Sequence, residues 1–299
     1  MFKKFLVNKD YHNTRFDRWF KHNVIKVPQS YIEKLIRKKK VKVNKKKIKT
    51  SYRLHFNDVI EIYGIEKIEP IGKSKPKKYS ATKKEIKIYD KLIIENNDNF
   101  IVINKPSGIP VQSGTKSYRN IIDILKDTKY FEHTKPYIVH RLDKETSGVM
   151  IVAKNREYAQ LFTSLFRIRK IHKTYLALCY GKVSKDLHTL KDDLIIFEKK
   201  KKIIQKAITH LKILKRNENY SFLELKPITG RKHQLRKQLF NIGNPILGDH
   251  KYSIKEFRTN FGSKNILLHS YKIKFMINNK KYNFKAIYSD EFSNFIKRI

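Results

Sequence analysis

One short segment of the sequence brings together side chains that could perform chemistry. His140, Arg141 and Asp143 lie between the apolar runs Tyr137–Val139 and Val149–Ala153. The two runs predict strands, so the segment between them is expected to be a loop that is exposed yet rigidly positioned. A carboxylate in such a loop can act as a nucleophile if it stays ionised and is held close to its target. A turn aspartate that forms an ion pair with its neighbouring arginine is the alternative, and this segment alone leaves both interpretations open.

A carboxylate in a dry site needs a nearby cation, because burial alone would raise its pKa. Arg236 is an arginine in a predicted short helix over His233–Ile242. Leu235, Leu239 and Ile242 form an apolar stripe on that helix, and Arg236 is roughly 100° around the axis from Leu235. Arg236 can therefore leave the core face and reach a site. An ordinary surface arginine is the alternative.

A predicted strand over Lys173–Tyr180 carries Tyr175, Ala177 and Cys179 on one face, because side chains alternate along a strand. Without further information, Tyr175 is interpreted as a core residue. Cys179 is the single cysteine, which excludes an intramolecular disulfide and suits a reducing compartment. Its apolar neighbours predict a small core residue rather than a reactive thiol.

Composition indicates the kind of partner. The chain has 299 residues, room for roughly two domains, and a formal net charge of +41. Such a surface favours a polyanion, so we expect nucleic acid rather than an acidic membrane, although an AT-rich genome would also enrich lysine. The apolar run near the N-terminus stops at Asn8, too short for a signal peptide, and no run approaches the length of a membrane span. A cytoplasmic protein is expected.

The N-terminal part predicts a small α/β module over residues 12–63, followed by a basic linker over 64–88. Phe16, Trp19 and Phe20 have helical spacing, and Pro28 can open a second helix. Alternation then predicts strands, which are listed as Val41–Val43, a continuation through Ile48, Tyr52 and Leu54, and Val59–Ile62. The linker is indicated by its lysine, proline and serine content.

Residues 89–299 predict an α+β domain with a twisted, mainly antiparallel sheet. Hydrophobic patterning in this part predicts a helix around Tyr158–Phe166 and several strands, namely Leu92–Ile94, Phe100–Ile103, Tyr137–Val139, Val149–Ala153, Lys173–Tyr180, Ala207–Leu214 and Tyr220–Ile228.

Five sequence elements together carry a family resemblance. The segment HRLDKETSG at 140–148 resembles the signature of the RluA-type pseudouridine synthases. Four more elements resemble those of the same family in the same order, namely Ile103–Gly108, Lys173–Tyr175, Pro227–Arg236 and Gly243–Asp249. The N-terminal pattern is similar to an S4 domain, an RNA-binding module. The order of the elements is most similar to a branch of the family that modifies the large ribosomal subunit.

The resemblance implies a role for each candidate residue. Asp143 is implied to be the nucleophile, Arg236 its counter-ion, and Tyr175 the ring that stacks on uracil and assists proton removal. Arg141 is implied to enter the RNA stack where the target uridine flips out, a step that a stacked base requires. The remaining substrate-binding candidates are Arg231, His233 and Lys173, while His140 is expected to orient the loop.

The implied activity is that of an isomerase, an RNA pseudouridine synthase that converts uridine to pseudouridine, with 23S ribosomal RNA as the expected substrate. The reaction needs no redox step, ATP or metal, so we expect no cofactor and no metal site. We also expect a monomer without membrane contact. Whether Asp143 attacks the ribose or the base stays open. A non-catalytic RNA-binding or ribosome-assembly factor, and an enzyme that acts on transfer RNA, remain the alternatives.

Two departures from the family pattern limit the resemblance. After Arg236 the family has a small apolar residue and histidine, whereas this chain has Lys237 and Gln238. In the S4-like part, Lys39 stands where glycine is expected after the second helix, and a left-handed residue other than glycine costs roughly 1 kcal/mol. Lysines within 38–47 are interpreted either as a phosphate-binding face or as a solvated hairpin.

Overall fold

The computed structural model of the chain describes residues 2–25, 27–64, 79–113, 118–198, 201–254 and 265–299. Its residues fall into two compact units, Met1–Lys77 and Lys78–Ile299, which we call the N-terminal unit and the C-terminal unit. In the described part of the chain, every helix is too short or too polar to cross a bilayer.

The N-terminal unit packs two helices on a three-stranded antiparallel sheet whose strand order is β1-β3-β2. Its elements are β1 (Phe2–Leu6), α1 (Phe16–Asn23), α2 (Gln29–Arg37), β2 (Val41–Val43) and β3 (Val59–Tyr63). Phe16, Trp19 and Phe20 are buried in its core, as their helical spacing predicts.

The sequence prediction for this unit was wrong at two places. The stretch of Ile48, Tyr52 and Leu54 is not a strand, because it contains only the isolated bridge Arg15–Arg53. Its other backbone hydrogen bonds include those from Phe16 to Tyr52 and from Leu54 to Thr14. The side chains of Ile48, Tyr52 and Leu54 still pack on the core, so their apolar spacing reflects burial in a loop. The prediction also missed β1, whose hydrogen bonds all go to β3, distant in sequence.

The C-terminal unit is built on a ten-stranded sheet of order β4-β5-β7-β12-β8-β11-β10-β9, with β6 beside β7 and β13 beside β12. All neighbours are antiparallel except β7 and β12. The strands are β4 (Ile93–Asn96), β5 (Phe100–Lys105), β6 (Tyr137–Ile138), β7 (Ser147–Ala153), β8 (His172–Tyr180), β9 (Thr189–Glu198), β10 (Lys201–Arg216), β11 (Tyr220–Pro227), β12 (Leu268–Ile277) and β13 (Lys280–Lys285). The predicted mixed fold with a mainly antiparallel sheet is confirmed.

The helices of this unit are α3 (Lys83–Asp90), α4 (Ile121–Lys126), α5 (Arg156–Arg167), α6 (Gln234–Asn241) and α7 (Asp290–Ile296). A capping box between Thr82 and Glu85 begins α3. The last residues assigned to the linker over 64–88 are therefore helical, while residues 65–78 lie outside the described part. The sequence did not predict α4, α7, β9, β12 or β13.

Two apolar clusters meet at Tyr175 on β8. One contains Leu142, and the other contains Leu235 and the buried Cys179. Tyr175 packs against both, so β8 places its ring between the loop before β7 and the helix α6. Burial raises the pKa of the Cys179 thiol, and the thiol therefore stays protonated as a small core group.

Candidate active site

The loop that carries Asp143 is fixed at its start by His140. The backbone N–H of Ile151 on β7 donates to Nε2 of His140 at 2.9 Å, and the imidazole lies against Phe166 with ring centroids 4.6 Å apart. Burial, helped by the charge of Lys173, lowers the pKa of His140 to about 3. His140 is therefore a neutral acceptor that holds the loop to the sheet, as predicted.

Lys105 fixes the middle of the loop that carries Asp143. Its buried ammonium donates to the carbonyls of Pro106 and Ile109, each at 2.9 Å, and to the carbonyl of Lys144 at 3.1 Å. Burial lowers the pKa of Lys105 to about 7, while the nearby carboxylates raise it. Three carbonyl acceptors match the three N–H bonds of the ammonium form. Lys105 thus joins the loop to the turn that follows β5.

The end of the loop is fixed by β12. His269 donates from Nε2 to the carbonyl of Ala286 at 3.1 Å, which leaves Nδ1 to accept the hydroxyl of Ser147 at 2.8 Å. Burial lowers the pKa of His269 to about 4. Gly148 has a φ of +109°, and a Cβ on it would lie 2.2 Å from the carbonyl oxygen of Ser270. Only glycine lets β7 and β12 approach this closely.

Asp143 lies between these anchors with its side chain 29% exposed. Its Oδ1 is 3.7 Å from Nε2 of His233, and its Oδ2 is 3.8 Å from Nη1 of Arg236. The same Nη1 is 3.4 Å from Oε2 of Glu145. Each oxygen of Asp143 thus faces a nitrogen of α6 or its N-terminal cap, while part of the carboxylate remains open to solvent.

Asp249 makes the shorter contacts with Arg236. Nε of Arg236 donates to Oδ2 of Asp249 at 2.7 Å, and Nη2 donates to Oδ1 at 2.8 Å. Both side chains are buried, that of Asp249 completely. Burial would lower the pKa of Arg236, but the hydrogen bonds and charge of Asp249 raise it above its ordinary value. The sequence analysis placed Asp249 in a family-like element without giving it a role.

Tyr252 completes the surroundings of Asp143 and was missed by the sequence analysis. Its hydroxyl lies 2.9 Å from Nδ1 of His233, and its ring centroid is 5.2 Å from Cζ of Arg236. His233 has a φ of +54° at the N-cap of α6, which turns its ring toward Asp143 and Tyr252. Burial lowers the pKa of His233, and the charge of Asp143 opposes that shift.

Tyr175 is partly exposed between the two clusters. Burial raises the pKa of its phenol to about 12, with a contribution from the charge of Asp143, while the Ser270 hydroxyl acts in the opposite direction. The phenol is thus protonated at neutral pH. It offers an uncharged aromatic face beside Asp143, and it could accept a proton only after passing on its own.

Comparison with known proteins identifies this arrangement. A family model described as RNA pseudouridylate synthase matches residues 99–241, and a model of the S4 domain matches residues 26–60. Ribosomal large subunit pseudouridine synthase C of Rickettsia conorii is 36% identical over 277 residues, 87% of this chain and 88% of the relative. The protein of the same name from Buchnera aphidicola (subspecies Baizongia pistaciae) is 31% identical, over 90% of this chain and 88% of the relative. The chain belongs to the RNA pseudouridylate synthase family.

The fold agrees with this assignment. The solved structure of human RNA pseudouridylate synthase domain containing 4 superimposes with a TM-score of 0.59 at 27% identity, over 71% of this chain and 94% of that one. The resemblance noted in the sequence is therefore confirmed, and the chain is an isomerase that acts on uridine in RNA. The family match over residues 99–241 lies within the C-terminal unit, which we call the synthase unit.

Three further residues predicted from the sequence are not ion-pair partners of Asp143 within the described part of the chain. Arg141 is exposed on the loop, two residues before Asp143. Lys173 is half-buried, and its Nζ lies beside Gly230, 3.6 Å from the position that a Cβ atom would occupy there. Burial lowers the pKa of this lysine. Arg231 donates from Nε to the carbonyl of Lys206 on β10 at 3.2 Å. The structure thus brings His233 and Arg236 to Asp143, whereas Arg231 contacts β10.

The departure from the family pattern after Arg236 has a structural explanation. Gln238 is fully buried in a relay that runs from Gln234 to Thr209 at 2.9 Å, from Thr209 to Gln238 at 2.6 Å, and from Gln238 to Asp192 at 3.0 Å. Each group in this relay donates to the next. Gln238 therefore attaches α6 to β9 and β10 through hydrogen bonds, and α6 carries Arg236. Within the described residues, no cluster of three His, Cys, Asp or Glu side chains is arranged to hold a metal ion.

Proposed function

We propose that this synthase isomerises uridine in the RNA of the large ribosomal subunit, 23S ribosomal RNA, with Asp143 as the nucleophile. Relatives at 36% and 31% identity over most of the chain carry the name ribosomal large subunit pseudouridine synthase C. A large polyanionic substrate is also supported by the formal net charge of +41 and by the match to the S4 domain.

The geometry of the Asp143 carboxylate carries this proposal. It is partly exposed, one nitrogen faces each of its oxygens, and its loop is fixed by His140, Lys105 and Ser147. In the reaction, the bond from the ribose to N1 of uracil breaks, the base turns, and C5 bonds to the ribose. C5 releases a proton and N1 gains one, so the product is an isomer of the substrate. The nucleophile must be held in a fixed position, and the three attachments of this loop hold it there. Attack on the ribose and attack on the base are both compatible with it.

The other candidates receive roles from their positions. Arg236 stabilises the charge of Asp143, and the neutral Tyr175 offers a stacking face for uracil. Arg141 is exposed and can fill the space that a flipped uridine leaves in the RNA stack. Lys173 and His233 are assigned to substrate binding. Arg231 is assigned to RNA binding at the β10 side.

The organisation of the molecule follows the same proposal. An S4-like module over 12–63, extended by β1, binds RNA. A basic linker that starts at residue 64 precedes α3, and α3 together with residues 89–299 forms the catalytic domain. A monomer is sufficient, because the nucleophile, its counter-ion and the stacking residue come from one chain. We propose that it acts in the cytoplasm, where ribosomal RNA is assembled.

Asp143→Asn tests the nucleophile. Asparagine keeps the size of the side chain but has no negative charge, so we expect tritium release from 5-tritiated uridine in ribosomal RNA to be abolished. RNA affinity should stay within about threefold of wild type, because binding depends on phosphate contacts. Asp186→Asn on the exposed loop before β9 is the matched control and should keep the wild-type rate. Turnover by Asp143→Asn at a tenth of the wild-type rate would reject the assignment.

The substrate is tested by mapping pseudouridine by mass spectrometry in ribosomal and transfer RNA from cells with and without the protein. Loss of pseudouridine from 23S RNA alone supports the proposal. Loss of pseudouridine from transfer RNA alone would show that transfer RNA is the substrate, and no loss in either RNA would favour a non-catalytic binding factor.

A further inference from the structure

We propose that Asp249 is a positioning residue for the reaction, because it holds Arg236 in the orientation that presents Nη1 to Asp143. This inference rests on the proposed function of Asp143 and Arg236. Asp249 lies 13 residues beyond Arg236 and does not itself face the open side of the site, since its side chain is fully buried.

The orientation of the guanidinium depends on which of its nitrogens are occupied. Asp249 accepts hydrogen bonds from Nε and Nη2 of Arg236, the side-on pairing of two parallel N–H···O bonds. The guanidinium is planar, so fixing these two nitrogens also fixes the direction of the third. That third nitrogen, Nη1, is the one at 3.8 Å from Asp143.

Asp249 also builds the turn behind the guanidinium. Its Oδ1 accepts the backbone N–H groups of Lys251 at 2.9 Å and Tyr252 at 3.0 Å. The turn places the ring of Tyr252 over Arg236, at 5.2 Å from Cζ. The Asp249 carboxylate thus joins α6 to the segment that covers it. Its Oδ1 accepts from both Arg236 and the turn, whereas among the described residues its Oδ2 accepts from Arg236 alone.

Without Asp249, other anions would compete for Arg236. Glu145 is 48% exposed and already lies 3.4 Å from Nη1, so it could draw the guanidinium toward solvent. RNA phosphates would compete as well, because arginine binds phosphate through two N–H groups in the same manner as it binds Asp249. By occupying Nε and Nη2, Asp249 reserves the arginine for Asp143 when RNA is bound.

Asp249→Asn separates the two roles of the side chain. The asparagine oxygen can still accept from the N–H groups of Lys251 and Tyr252, so the turn is kept. Its amide nitrogen replaces Oδ2 and cannot accept from Nε of Arg236. We expect the single-turnover rate of pseudouridine formation to fall about 10- to 100-fold, the range for a lost hydrogen bond to a charged group. RNA affinity should change less than about threefold, because Asp249 is buried away from phosphates.

A second variant pair shows whether Asp249 acts through Arg236. We expect Asp249→Asn to lower the rate less than about twofold when it is added to Arg236→Gln. The double variant also avoids the buried unpaired carboxylate that Arg236→Gln alone would leave, and it should therefore fold. Asp192→Asn is the matched control, since it loosens the distal half of α6 through Gln238 and Asn241 without touching Arg236.

The outcomes are distinct. An Asp249→Asn rate within about twofold of wild type would show that Asp249 only shapes the turn. If Asp249→Asn lowers the rate equally in the wild-type and Arg236→Gln backgrounds, Asp249 acts independently of Arg236. If Asp192→Asn lowers the rate as much as Asp249→Asn does, Asp249 only supports the helix α6. If the wild-type protein itself forms no pseudouridine in ribosomal RNA, the proposed function fails instead.

Discussion

At the scale of single residues, Arg236 has carboxylate neighbours that differ in burial and in distance. Asp249 is fully buried and accepts two short hydrogen bonds, whereas Asp143 and Glu145 are partly exposed and lie farther away. Substituting either Arg236 or Asp249 alone should lower the stability of the fold most, because the charge of the remaining partner would be left unpaired inside the protein. The longer contact with Asp143 leaves part of its carboxylate open to a substrate.

Lys39 supplies a residue-scale prediction in the N-terminal unit. Its φ is +59°, the left-handed conformation expected where glycine usually ends a helix. Lys39→Gly should therefore stabilise this unit by about 1 kcal/mol, because glycine has no Cβ to strain. The measurement is urea unfolding followed by fluorescence of Trp19, the single tryptophan, which is buried in this unit.

Lys38 provides the matched control. It precedes Lys39 with an ordinary φ of −77°, so Lys38→Gly should destabilise the unit by about 0.5–1 kcal/mol through the flexibility of glycine. Equal effects of the two substitutions would contradict the explanation by backbone conformation.

Sequence reasoning reached some residues of the site and not others. The loop between two apolar strands made Asp143 a candidate, and helical spacing allowed Arg236 to reach a site. Position alone left a structural alternative open for each residue, and the family resemblance implied their roles. Asp249 and Tyr252 could not be assigned roles, because their contacts with Arg236 and His233 depend on a turn that only tertiary structure brings against α6. Gln238 gave no signal of burial, since its partners Thr209 and Asp192 lie on two other strands.

At the scale of elements, the parallel pair β7 and β12 depends on a neutral His269. Its folded pKa of about 4 lies below the ordinary value of 6.5, so the folded state favours the uncharged ring. The stabilising contribution is complete above pH 6.5 and is lost as the pH falls toward 4. The loss amounts to about 1.4 kcal/mol per pH unit, because the unfolded chain binds the proton more readily.

His269→Gln tests this contribution, since glutamine can still donate to the carbonyl of Ala286 but does not titrate. We expect the wild type to lose more stability than His269→Gln between pH 6.5 and pH 4.5, measured by urea unfolding with far-ultraviolet circular dichroism. Trp19 fluorescence, recorded in parallel, follows the N-terminal unit separately. Stability curves that stay parallel over this pH range would contradict the prediction.

The elements themselves were predictable where periodicity is strong and local. The spacing of Phe16, Trp19 and Phe20 indicated α1, and alternation indicated β8, since each pattern reports burial of one face. The stretch from Ile48 to Leu54 has apolar spacing without strand pairing, because a loop can bury side chains while its backbone bonds elsewhere. In β1, what decides strand formation is the presence of β3, which local sequence does not contain.

At the scale of the whole molecule, the division into two compact units predicts separable roles. Removing Met1–Lys77 should leave a folded synthase unit, because its cores contain only residues of that unit. RNA affinity should fall, and the slope of log affinity against log salt concentration should become shallower as lysine–phosphate contacts are lost. Circular dichroism and binding to 23S RNA fragments at several salt concentrations check both expectations. Loss of folding, or an unchanged salt slope, would contradict the proposed roles.

Two of the three carboxylates around Arg236, those of Asp143 and Glu145, are partly exposed, whereas that of Asp249 is fully buried. The net charge of +41 attracts phosphodiesters to the protein as a whole. A phosphodiester that came close to the oxygens of Asp143 and Glu145 would be repelled by them. An extruded uracil carries no charge and meets no such repulsion, so these two exposed carboxylates favour a nucleobase over the backbone at the point of reaction.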